Sequence, residues 1–146
     1  MRLWHQRLIH NLPRLQLLGQ HRELSALRGL GWGRKHNVVD YVFRYEIGRL
    51  HQYHLEVMKE CVHRNFEIDP KWYLRTYRGK KIGTVSLSDV GIYVWDSSKD
   101  STIYPEHDDR YLLECLLNLK AKGAQLVNGA TIEEFLLELE SKGVQC

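Results

Sequence analysis

The sequence is poor in residues that staple or interrupt a chain: its 146 residues include three cysteines and three prolines. Cys61, Cys115 and Cys146 are odd in number, widely spaced and form no C-x-x-C pair. That argues against a disulfide framework and reads as reduced thiols in a cytoplasmic protein. No apolar run approaches the roughly 20 residues that a bilayer span needs. Arg2, His5, Arg7, His10 and Arg14 interrupt every apolar stretch near the start, so neither a signal peptide nor a membrane contact is expected. Repeats and a domain linker are also missing, which points to one domain over residues 1–146 with a hydrophobic core of its own.

Acidic residues are scarce in the first part of the chain. From Met1 to Arg44 there are eight Lys/Arg and two acids, Glu23 and Asp40. The net charge is +6 over residues 1–44, +3 over 45–84 and −6 over 85–146. Trp4, Trp32, Tyr41, Trp72, Tyr73 and Tyr77 stand within the basic half. Cations for phosphates beside aromatic faces for bases suit a nucleic-acid partner. A carboxylate in such a setting has two readings: Glu23 stabilises a developing cation on a polyanionic substrate, or it pairs with neighbouring arginines along its helix.

The periodicities predict a mainly α fold, a compact bundle of three to four helices with long loops and at most one short strand or hairpin. The first helix runs from Leu12-Pro13 to about Arg28, with Asn11 as its cap and Leu17, Leu24 and Leu27 on its buried stripe. Glu23 falls at the edge of that stripe. The loop Gly29-Leu30-Gly31-Trp32-Gly33-Arg34-Lys35-His36 lacks Walker A spacing but offers backbone approach and charge to a phosphate. Val38–Phe43 is β-rich by composition and reads as a strand or as a buried extended lead-in. A second helix spans roughly Ile47 to Arg64. His51 and His54 within it are three apart, but no acidic or cysteine ligand stands at a familiar zinc spacing, so a surface or core-edge role is favoured over a metal. Gly91–Trp95 alternates within a loop that has room for one short strand. A third helix begins near Pro105 to Asp109 and ends at Gly123. A fourth runs from the capping box Thr131-Ile132-Glu133-Glu134 to Lys142.

Three ordered segments resemble the pyrimidine-dimer DNA glycosylase family of phage endonuclease V-like enzymes: Leu17–Leu24 with its Gln20-His21-Arg22-Glu23, the loop Gly33-Arg34-Lys35-His36, and Leu55–Ile68. Tyr104-Pro105-Glu106-His107 is a weaker echo, and the opening Met-Arg-Leu-Trp-His is similar to a bacterial branch of the family. The resemblance implies a DNA repair glycosylase with abasic-site lyase activity on pyrimidine dimers or another damaged base, without metal or cofactor. In that chemistry the N-terminal α-amine attacks C1′ of the damaged nucleotide, and the helix glutamate stabilises the resulting cation. Met1 precedes the bulky Arg2 and is expected to be retained, so the resemblance makes Met1 the nucleophile and Glu23 its catalytic partner. Arg2 and Arg22 match positions that hold phosphates. The implied DNA contacts extend to Gln16, His21, Arg28, Arg34 and Lys35. They also include Trp72, Arg78 and Lys80, whose segment is similar in composition to the family's C-terminal tail but lies earlier in the chain. The partner is double-stranded DNA carrying a damaged base or abasic site, met by a monomer. The helix at 131–142 departs from the family pattern. Two other readings stand beside this one: a non-catalytic nucleic-acid-binding module of the same fold, and an interaction protein that docks through Phe135, Leu136 and Leu139.

Overall fold

The computed structural model describes residues 2–32 and 39–145. Its helices are α1 (Arg14–Arg28), α2 (Ile47–His63), a single turn α3 (Leu87–Val90), α4 (Asp109–Ala121) and α5 (Ile132–Ser141). Shorter 3-10 helices cover Gln6–Asn11, Asp40–Arg44 and Pro70–Tyr73. The fold is mainly α, and among the described residues no strand forms and no helix is long and apolar enough to cross a membrane.

The core gathers leucines from the whole first part of the chain. Leu3, Leu8, Leu12, Leu17, Leu24 and Leu27 are all fully buried, against Leu50, Tyr53, Val57 and Cys61 of α2 and Leu112, Leu116 and Leu119 of α4. The chain therefore enters the core before α1 starts. His5 caps the first 3-10 helix, its Nδ1 accepting the Arg7 N–H at 3.0 Å.

The expected cap of α1 is different in the structure. Leu12 and Pro13 are extended, as a residue preceding proline and proline itself tend to be, and Pro13 occupies the N-cap position. Asn11 instead pairs with the loop after α4: its Nδ2 donates to the Val127 carbonyl and its own carbonyl accepts the Val127 N–H, both at 2.9 Å. At the other end, Arg78 donates to the Arg28 and Gly29 carbonyls (2.8 and 3.2 Å), placing a cation on the negative end of the helix dipole.

The stretch open to a strand reading near residue 40 is a 3-10 helix, because Val39 and Val42 are the two residues that enter the core and their i, i+3 spacing stacks them on one face. Gly91–Trp95 does alternate: Ile92 and Val94 face solvent while Tyr93 and Trp95 are half-buried. It finds no neighbouring strand, and side chains serve its backbone instead, Arg75 on the Tyr93 carbonyl and Gln52 on the Trp95 N–H. Among the described residues the one hairpin-like pairing lies earlier, a single antiparallel bridge between Tyr77 and Thr84 closed through Gly79 and Gly83.

The capping box of α5 forms as spaced, with the Glu134 N–H on Thr131 Oγ1 at 3.1 Å and that hydroxyl on Glu134 Oε1 at 3.0 Å. Leu139 is fully buried, and Phe135 and Leu136 pack partly buried against the core, so these three side chains are spent internally. Arg7 fastens the outer face of α5 by two bonds to Glu138 (2.8 and 3.2 Å).

Candidate active site

Helical geometry sorts α1 into three strips. Arg22 and Ala26 lie on its exposed ridge, Glu23 falls on one flank, and His21 with Ser25 falls on the other. Glu23 is half-buried. Among the described residues no Lys, Arg or His forms an ion pair with it, so the intrahelical salt bridge weighed for this glutamate does not form. Its hydrogen-bond donor among the described residues is Gln20, a turn earlier, whose Nε2 lies 3.3 Å from Glu23 Oε2. Burial raises the Glu23 pKa above that of an ordinary carboxyl, against the opposing positive charges of Arg22 and Lys122.

The same Gln20 holds the start of the chain. Its Nε2 donates to the Arg2 carbonyl at 2.9 Å, and its Oε1 accepts the Trp4 N–H at 2.8 Å. Tyr111 of α4 donates its hydroxyl to the Leu3 carbonyl, and Tyr53 of α2 donates to the Trp4 carbonyl at 2.5 Å. Three consecutive carbonyls are thus held by three different helices. Arg2 lies along this edge, its guanidinium 5.9 Å from the Tyr111 ring and 3.3 Å from Glu114. Lys122, one residue past α4, sits 5.5 Å from the Trp4 ring. Arg22 is exposed and Gln16 half-buried on the same helix. Met1, Arg34 and Lys35 lie outside the described residues.

The opposite flank of α1 is organised by Arg28, which is 1 % exposed. Its guanidinium donates to the Trp72, Leu74 and Tyr77 carbonyls (2.9, 2.8 and 2.9 Å) and to His54 Nδ1 at 2.9 Å, and it lies 5.1 Å from the Trp72 ring. Burial lowers its pKa to about 10. This is a correction: Arg28 is buried, with both terminal nitrogens committed to stitching residues 72–77 and His54 to α1, so its guanidinium is not presented to a phosphate at the surface.

His54 fixes His21 in turn. Arginine only donates, so His54 Nδ1 must accept and its proton sits on Nε2, which faces His21 Nδ1 at 2.8 Å. Burial, then the Arg28 charge, holds His54 well below the usual histidine range, and burial lowers His21 as well. His21 is therefore a neutral ring whose proton sits on Nε2, where it is a hydrogen-bond donor without a charge. Neither His51 nor His54 is at the surface, and both are buried near Arg28.

Beyond this flank lies a mostly apolar cleft of about 540 Å³ floored by Ala26, Leu27 and Leu30, with Trp72, Arg78, Lys80 and Lys81 on its walls. Trp72 is half-buried, edge-on to Tyr77 at 4.9 Å, and Lys80 is exposed. Arg78 already serves the α1 carbonyls. A larger cleft of about 1120 Å³ runs between His5–His10, the end of α2 and residues 95–109, but it includes none of Arg2, Gln20, Arg22 or Glu23. Its rim mixes Lys59, Lys99 and Lys142 with Glu56, Glu60 and Glu138, a poor match to a polyanion.

The structure thus brings Arg2 and Glu23 to one side of α1 and His21, Trp72, Arg78 and Lys80 to the other, with Arg22 on the ridge between them. It adds Gln20, Tyr53, Tyr111 and Lys122, which the sequence does not announce. Gln20 had one available signal, its i, i+3 spacing to Glu23. A family model described as pyrimidine dimer DNA glycosylase matches residues 1–74. No curated protein and no solved structure matches the chain.

Proposed function

The chain belongs to the pyrimidine dimer DNA glycosylase family, and we propose that it joins base removal to abasic-site cleavage through a Schiff base on the α-amine of Met1. A DNA substrate and a repair role come with the family. The observation that carries the finer reading is the shared nitrogen of Gln20, which holds both the Arg2 carbonyl and the Glu23 carboxylate. That shared donor ties the backbone of Arg2 to the carboxylate, which supports a reading in which the α-amine works beside Glu23.

In this scheme the unprotonated amine attacks C1′ as the damaged base departs with the glycosidic electron pair. The secondary amine then loses a proton as the sugar ring opens, giving an iminium ion. Removal of a C2′ proton expels the 3′-phosphate by β-elimination, and water releases the amine. Glu23 faces the cationic intermediates, and as a carboxylate without an ion-pair partner among the described side chains it has that charge to offer. Its raised pKa also suits it to accept a proton and return it. Arg22 on the exposed ridge, Arg2, and Lys80 across the helix supply phosphate contacts, with Arg34 and Lys35 assigned to the same duty. Gln16 and Trp72 complete the surface. The scheme uses no metal, and the protein acts as a cytoplasmic monomer on double-stranded DNA.

The test is borohydride trapping and nicking on duplexes bearing a thymine dimer, an abasic site or neither, with untagged protein. A covalent adduct and nicking are expected on the damaged duplexes, with Glu23→Gln slower by ~10²-fold or more. No adduct, or an adduct undiminished by an N-terminal extension, would overturn the amine mechanism. Binding without nicking would leave a DNA-binding module of the same fold.

A further inference from the structure

Gln20 is 1 % exposed, and its amide is fully committed. The oxygen meets the Trp4 N–H at 2.8 Å and the Tyr53 hydroxyl at 3.1 Å, while the nitrogen meets the Arg2 carbonyl at 2.9 Å and Glu23 Oε2 at 3.3 Å. Its orientation is forced by these neighbours. A backbone N–H can only donate and a backbone carbonyl can only accept, so the oxygen must face Trp4 and the nitrogen Arg2. An amide nitrogen carries two protons, and here two acceptors claim them. One is backbone of the entering chain and the other is the carboxylate of the site.

We propose that Gln20 is a positioning residue of the active site, its amide nitrogen holding the Arg2 backbone and the Glu23 carboxylate on one donor group and so fixing the entering chain at Arg2 against that carboxylate. This rests on the amine–carboxylate reading above. Gln20 touches neither substrate nor reacting atoms. It acts by fixing both partners to a side chain that has nowhere to move, since Tyr53 is itself tied to the Trp4 carbonyl and is fully buried. An apolar side chain of the same size would keep the core filled and release both partners at once. Glu23 would also lose a donor that favours its charged form.

The experiment compares Gln20→Leu and Gln20→Met with the wild type in single-turnover borohydride trapping on a saturating abasic duplex. The adduct rate is expected to fall by ~10- to 100-fold, as a displacement on the order of 1 Å does for positioned groups. Duplex affinity should stay within about twofold, because the loss is confined to the reacting geometry. The acid limb of the rate should move to higher pH. A wild-type rate in either variant, or equal losses of rate and affinity, would overturn the proposal. A second readout does not depend on activity: the Gln20 side-chain amide protons of the wild type should shift as Glu23 titrates, and Glu23→Gln should abolish that shift. If the wild type gives no adduct, the amine mechanism falls and this titration alone decides the role of Gln20. The same holds if the variants fail to fold. Amide protons indifferent to Glu23 would sink it.

Discussion

Acidification should unfold this protein through its histidines before its carboxylates matter. His5, His51 and His107 are 2 %, 3 % and 3 % exposed, and burial lowers their pKa values to about 4, 3 and 3. The geometry explains why protonation is resisted. His5 Nδ1 accepts the Arg7 N–H and His107 Nδ1 accepts the Gln6 N–H, so a proton on either nitrogen would break a bond. His51 Nδ1 has no partner among the described residues. In the unfolded chain each ring takes up its proton near pH 6.5, whereas the folded state stays neutral to near pH 4 or below. The unfolded state therefore binds more protons in that window, and stability falls as pH drops through it. One pH unit below the unfolded value each histidine costs about 1.4 kcal/mol, or about 4 kcal/mol for the three. His54, lowered in the same direction, adds to this. Against a typical total of about 5–15 kcal/mol, the loss is large. Urea titrations between pH 7.5 and 5.5 should show unfolding free energy falling by about 4 kcal/mol, with Tm lower by about 10 °C. A Tm flat over that interval would refute the claim that these rings are held neutral.

Other consequences are local. Arg28→Met should destabilise the protein by about 3 kcal/mol in urea, because three carbonyls and His54 lose their donor together, and Trp72 fluorescence should change with it. Gly48→Ala should cost about 1–3 kcal/mol, since a Cβ there would sit 2.6 Å from the Val90 carbonyl oxygen, which α3 fixes in place. Lys122→Met removes a charge that holds the Glu23 pKa down, so the acid limb of the trapping rate should move to higher pH. An unchanged limb would place Lys122 outside the site.

The longer helices were legible because they carry a 3.6-residue apolar stripe between recognisable stops: Ile47–His63 and the capped Ile132–Ser141 match the expected bounds closely, whereas the single turn Leu87–Val90 is too short to carry one. The Glu23 edge position was legible for the same reason. What escaped sequence reading depended on distant partners. Arg28 looks like a polar helix residue, and only the convergence of three carbonyls from residues 72–77 explains its burial. Lys122 comes close to the site through the packing of α4, with no local pattern to mark it. Asn11 had the residue type of a cap, yet Pro13 took that position and Asn11 found Val127 more than a hundred residues away.

The family match ends at residue 74, but the hold on the entering chain does not. The Leu3 carbonyl is claimed by Tyr111, and the Gln6 N–H by His107. Residues 2–6 leave the ribosome roughly a hundred residues before the side chains that seat them. These residues are thus made well before their anchors and fixed only once those anchors arrive. A nascent or truncated chain can hold Glu23 on a formed α1, yet its leading residues would lack their α4 anchor. Seating of residues 2–6 is thereby tied to the arrival of the segment that carries His107 and Tyr111.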